Sequence, residues 1–135
     1  MSVNLQEIFD KVANHLITQN RKSIDDSGNY DCVYRAYNGD MCAVGCLITD
    51  SHYNPDMEGE SVYDGQVMQA LSDSLEISID YLKVNKSPVI EMLSELQHAH
   101  DYLDPEEWRA DLVRVAHLFK IEYRGEQYGK QSVGL

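Results

Sequence analysis

Leu5, Ile8, Phe9, Val12 and Leu16 recur at intervals of three and four residues, the spacing that gathers apolar side chains on one helical face. Asn4 precedes them, with Glu7 three positions on, as in a capping box. A first helix is therefore expected over residues 5–19. Val67, Ala70, Leu71 and Leu75 repeat the spacing and predict a second helix, after a polar and acidic loop over residues 55–65. Ile77, Ile79 and Tyr81 alternate, and this short run fits a strand or a continuation of the same helix. Ser87 before Pro88 pairs a cap residue with a first-turn proline, and Val89, Met92, Leu93, Leu96 and Leu103 then line one face of a third helix. The string Asp104-Pro105-Glu106-Glu107 repeats the device with acid in the first turn. Trp108, Leu112, Val115 and Phe119 carry the fourth helix to near Lys120.

The stretch from Tyr30 to Tyr37 alternates instead, is rich in aromatic and β-branched residues, and meets Asn38-Gly39, a strong signal for a two-residue hairpin turn. That turn would pair Tyr37 with Asp40, Arg35 with Cys42 and Val33 with Val44, and would send Cys32 and Cys42 to opposite faces. The short link between the last two helices favours an antiparallel pair against which the first helix and the hairpin bury their apolar sides. The expected fold is α+β and mostly helical, about four helices with a small antiparallel β-hairpin near residues 30–46. One globular domain over 1–124 and a flexible tail over 125–135 complete the expectation.

At 135 residues and 43% hydrophobic content the chain is long and apolar enough for one core without metal or disulfides. Its 11 Lys plus Arg against 23 Asp plus Glu, a formal charge of −12, disfavour direct binding to nucleic acid or to an anionic membrane. No apolar run approaches the roughly 18–20 residues of a membrane helix, and the N-terminus lacks the basic and apolar regions of a secretory signal. A cytoplasmic location is expected. Three cysteines, an odd number, then read as free thiols.

The charge is unevenly spread. Residues 39–81 hold nine acids and no lysine or arginine, so three quarters of the net charge falls in under a third of the chain. One reading is a solvated face that keeps the protein soluble. The sharper one is that Asp50, Asp56, Glu58, Glu60 and Asp64 attract a basic surface on a partner protein by electrostatic complementarity. Binding of a divalent cation in the manner of an EF-hand fails on spacing, because Ser61 and Val67 stand where glycine and glutamate are needed. No cofactor is expected.

Two cysteine constellations compete with simple thiol packing. Cys32, Cys42, Cys46 and His52 make a four-ligand zinc set on paper, without the tight two-residue knuckle of common structural sites. A thiol hydrolase would take Cys42 as nucleophile, His100 or His98 as base and Asp101 as orienter. Against it, Leu96, His100 and Leu103 share a helical face, which places His100 beside the core with its ring hydrogen-bonded and Asp101 near Gln97 one turn earlier. Arg35, flanked by Tyr34 and Tyr37, reads either as a fork for an anionic ligand or as a surface arginine paired with Asp31 or Asp40. Phosphate-loop, HExxH and GxSxG strings are absent. Nine tyrosines suit a contact surface.

The residues Tyr34-Arg35, Gly39, Cys42-Ala43-Val44-Gly45-Cys46-Leu47-Ile48, Asp50 and Met57-Glu58-Gly59, followed by Leu96-Gln97 and His100-Asp101, resemble the pattern of a family of small uncharacterised proteins encoded by phages and prophages. The likeness spans the first to the fourth helix. It implies a phage context and no particular chemistry, and marks the C-A-x-G-C-L-I and L-Q-x-x-H-D segments as characteristic. Together with the acidic block it leads to a non-enzymatic accessory protein that binds a basic surface of a host or phage protein, with inhibition of a nucleic-acid-handling or defence factor as the expected role. A Cys42 hydrolase and a small structural or zinc-binding domain are the alternatives.

Overall fold

A computed structural model describes residues 4–26 and 31–129. Among these described residues five helices follow one another: α1 Leu5–Gln19, α2 Gly65–Leu75, α3 Ile79–Lys83, α4 Pro88–Tyr102 and α5 Pro105–Leu118. Three single 3-10 turns, Gly45–Leu47, Asp50–His52 and Pro55–Met57, stand between α1 and α2.

The helix boundaries follow their caps. Asn4 accepts the Glu7 N–H (3.1 Å) at the start of α1, and Asn20 closes it in the left-handed region at φ 52°, its N–H on the Leu16 carbonyl, a conformation asparagine tolerates better than most residues. Asp64 receives the Gln66 and Val67 N–H groups at the start of α2. Glu76 ends that helix at φ 57°, and the Ile77 N–H turns back onto the Ser72 carbonyl. This left-handed residue resolves the ambiguity after Leu75: the run is neither a strand nor a continuation, and the chain restarts as the short α3. The Glu107 side chain reaches back to the Asp104 N–H (3.0 Å) and completes the capping box of α5.

The core lies where α4 and α5 pack together with α1 across them. Phe9, Val12 and Leu16 of α1 meet Leu93 and Leu96 of α4 and Trp108, Leu112 and Val115 of α5, with Val67 and Leu71 of α2 in the same cluster. Val44, Leu47 and Met57 join it from the connecting segments. Non-helical backbone can lie this deep only if its polar groups find partners, and side chains of α1, α4 and the connecting segment itself supply them.

The expected α+β architecture is not what forms. Among the described residues there is no sheet, only isolated antiparallel bridges at Ile24 with Cys32 and at Arg35 with Met41. Asn38-Gly39 does turn the chain, but in a three-residue loop. The Gly39 N–H bonds the Ala36 carbonyl, the Ala36 N–H bonds the Asp40 carbonyl (2.8 Å), and Gly39 takes φ +94°, the glycine-dependent geometry of the longer hairpin loop. The register therefore moves by one: Arg35 faces Met41 and not Cys42, and the parity assigned to Cys32 and Cys42 lapses. Side chains from elsewhere then take the donors a ladder needs. Glu58 accepts the Tyr34 and Arg35 N–H groups, Gln19 that of Met41 and Gln97 that of Val44. Tyr30, the expected first strand residue, lies outside the described residues.

After α5 the chain stays on the fold through the described part, 125–129, of the segment expected as a tail. As far as Gly129 it returns along α1: Gln6 exchanges two hydrogen bonds with the main chain of Glu122, Tyr128 is buried edge-on to Phe9 with its hydroxyl on Asp10, and the Gly129 N–H meets Asn14. Residues 130–135 lie outside the described residues.

His15, half-buried on α1, donates from Nε2 to the Met41 carbonyl (2.7 Å), and burial is the first cause of a pKa below its usual 6.5. In the unfolded chain the ring takes up its proton near 6.5, whereas in the folded chain it resists until lower pH. The unfolded state then binds more protons, so this group's contribution is complete above that value and is lost as pH falls below it. His15→Gln, which keeps a donor for Met41, should flatten the decline in urea midpoint between neutral and mildly acid pH. An unchanged slope would refute the assignment.

Candidate functional site

Three groups of side chains gather the residues singled out by the sequence. The first is built on the last turns of α4. Gln97 accepts the Val44 N–H (3.0 Å) and donates to Asp101 Oδ1 (3.0 Å). His100 Nδ1 lies 2.8 Å from the same oxygen, and His100 Nε2 lies 2.9 Å from the Ser23 main-chain nitrogen. An N–H can only donate, so Nε2 is the acceptor and the ring proton sits on Nδ1. The ring is 0% exposed and stacks on Trp108 at 5.6 Å between centroids. The L-Q-x-x-H-D segment is thus a clamp that fastens the backbone at Ser23 and at Val44 to α4, with the helical periodicity bringing Gln97 and Asp101 together.

This arrangement answers the two cysteine hypotheses. Cys42 is fully buried, its sulfur accepting the Gly45 N–H (3.3 Å), and burial pushes its thiol far above the ordinary range. Among the described residues no hydrogen bond joins it to His100, whose two nitrogens are already committed. The expected Cys42, His100 and Asp101 relay is not assembled. The expected zinc set is not assembled either. Cys46 donates to the Ala43 carbonyl, with burial raising its thiol to about 12, while His52 is exposed and bonded to Thr49.

The cluster of potential metal ligands among the described residues is a different one, Cys32, His100 and Asp101, whose donor atoms lie within 4.8 Å of one another. Its chemistry does not suit a cation. The Nδ1 lone pair is replaced by a proton as long as Ser23 occupies Nε2, and Cys32 is held near 11 by burial and by the charge of Asp101, where a metal needs thiolate. Sequence spacing did not single out Cys32 beside Asp101, because the loop that delivers Cys32 is placed by tertiary contacts alone.

The second group surrounds Glu58. Its carboxylate accepts from the main-chain N–H groups of Tyr34 (2.7 Å) and Arg35 (3.1 Å) and from the Tyr53 hydroxyl (2.6 Å). The Arg35 guanidinium lies over the Tyr53 ring at 4.7 Å, donates to the Ile48 carbonyl and pairs with Asp50 (2.6 Å). The expected partners of Arg35, Asp31 and Asp40, are not the ones it takes; Asp40 is buried and holds Arg21 through both oxygens. The Y-R, C-A-x-G-C-L-I and M-E-G segments therefore meet as one bracket that ties the 34–35, 48–50 and 53–58 backbones together.

The third group is the set of proposed contact carboxylates, and the structure divides it. Glu58 is inside the bracket, Asp64 caps α2 and Asp50 faces Arg35. Asp56 and Glu60 are exposed, as are Asp73, Glu76 and Asp80 of the same block, and among the described residues no lysine or arginine forms an ion pair with any of these five.

Among the described residues, two of the surface cavities border the groups above. A groove of about 390 Å³ runs between the 59–63 segment and α4, with Cys32 and Tyr34 in its lining. A wider cleft of about 830 Å³ lies where α1 meets the 75–81 turn.

In comparison with known proteins the chain matches no family model, no curated protein and no solved structure. No helix among the described residues is long and apolar enough to cross a membrane.

Proposed function

We propose that this is a non-enzymatic, phage-type accessory protein that binds a basic surface of another protein, the partner class being a protein that handles nucleic acid. What supports the reading is the set of five exposed carboxylates, Asp56, Glu60, Asp73, Glu76 and Asp80, which form no ion pair with a lysine or arginine among the described residues, in a chain of net charge −12. Unpaired surface charge of one sign costs stability through repulsion, and a partner of opposite sign relieves it while speeding encounter. A groove built to take phosphates is such a surface. The raised thiols and the committed His100 ring weigh against the hydrolase alternative, since a nucleophile at neutral pH needs an accessible, lowered thiol.

The test must spare Glu58 and Asp64, whose reversal would damage the fold itself. Asp56→Lys combined with Glu60→Lys should abolish affinity capture of the partner from host lysate, and capture by the unaltered protein should weaken as salt is added. Capture that survives both treatments would leave the block as a solubilising face only. In the same preparation Cys42 and Cys46 should resist a thiol reagent until the chain is denatured, and rapid labelling of Cys42 would return the hydrolase to first place.

A further inference from the structure

We propose that the groove between the 59–63 segment and α4 receives an arginine side chain of a protein partner. This rests on the reading of the protein as a binder of basic surfaces and names the group that is bound. Among the described residues the lining carries two carboxylates, Glu60 and Asp101, and no lysine or arginine. Lys22 donates to the main-chain carbonyl of Asp101 at 3.2 Å and lies close enough to act on Cys32, but it is not part of the lining, so the two carboxylates outweigh it. The wider cleft beside α1 differs in this respect, for Lys11 lies there among Glu7 and Glu76, and it selects no charge.

Two of the most exposed large side chains of the protein, Tyr63 at 57% and Tyr102 at 74%, line the same groove from different elements. Tyrosine faces attract cations, and a planar guanidinium stacks on them while its fork reaches a carboxylate. An ammonium gains less from the pairing, because it is compact and strongly hydrated. Both sides are already held in place. The Tyr34 hydroxyl donates to the Glu60 carbonyl and fixes the main chain that bears that carboxylate, and the Tyr102 ring lies 4.7 Å from the His98 ring. Asp101 is fixed by Gln97 and by His100. Preordering of this kind lowers the entropic cost of binding, and about 390 Å³ is room for one long side chain with water around it.

The experiment titrates the purified protein at low ionic strength with tri-arginine and, separately, trilysine peptide, followed by amide chemical shifts. Tri-arginine should bind tighter by roughly threefold or more, with the shifts centred on Tyr63 and Tyr102. Tyr63→Leu combined with Tyr102→Leu alters neither charge nor buried packing, and should erase the preference. Equal affinities for the two peptides, with the double variant indistinguishable from the parent, would overturn the groove proposal and leave the acidic-surface reading standing. Absence of binding by either peptide would bring both down.

Discussion

Replacing His100 by alanine should lower the stability of the protein by about 3–5 kcal/mol, the sum expected for emptying a buried ring site and stranding a main-chain donor. The ring is wholly enclosed, stacks on Trp108 and is the acceptor for the Ser23 N–H, so its loss leaves a void beside the largest core side chain and an unpaired buried N–H. Asp101 would keep Gln97 and lose its second donor. His100→Phe separates the two contributions. It restores most of the volume but not the acceptor, and should cost about 1–3 kcal/mol. Urea unfolding at neutral pH measures both. A loss below the lower figure for the alanine variant would show that the ring is not the link between α4 and the 23–25 segment.

Gly45→Ala is the second large effect. A Cβ on Gly45 would stand 2.1 Å from the Tyr34 carbonyl oxygen and 2.9 Å from its carbon. Both are main-chain atoms, so no side chain can swing aside. The Tyr34 segment is also pinned, by the Cys42 N–H on that same carbonyl and by Glu58 on the Tyr34 N–H. The chain must shift, and a loss of about 3 kcal/mol is expected. Gly65→Ala is the control, with open space at its Cβ position and a helical site; it should be neutral or slightly stabilising. Similar urea midpoints for the two variants would remove the close approach as the reason for glycine at position 45.

These two predictions also explain the segments that the sequence marked out. The C-A-x-G-C-L-I run has the look of a strand leading to a reactive thiol, yet its glycine is required by a backbone crossing and its thiols fill space. The L-Q-x-x-H-D run has the look of a base with its orienter, yet its polar atoms are spent on the main chain of distant loops. Cysteine, histidine and aspartate are chosen in catalysis because they donate, accept and titrate. Here the same capacities serve buried backbone that no sheet satisfies.

The acidic block shows how far charge counting reaches. Nine carboxylates in sequence suggested one continuous surface, but a carboxylate is also the natural acceptor for helix N-termini and for loop N–H groups. Asp64 and Glu58 went to those uses and Asp40 and Asp50 to arginines from outside the block. Those arginines, Arg21 and Arg35, are distant in sequence, so no local pattern announced the pairing. Asp56 and Glu60 remain as the members of the proposed contact set free to meet a partner.

By itself the sequence determined the long helices α1, α2, α4 and α5 and the side each turns inward, because apolar periodicity, asparagine and aspartate caps and first-turn prolines are local signals within one or two turns. Only the tertiary structure decided the fate of residues 31–62 and of the chain beyond α5. There the donors of Tyr34, Met41 and Val44 are satisfied by the side chains of Glu58, Gln19 and Gln97, and once those side chains take the N–H groups, a hairpin that the local pattern favours has no ladder left to form.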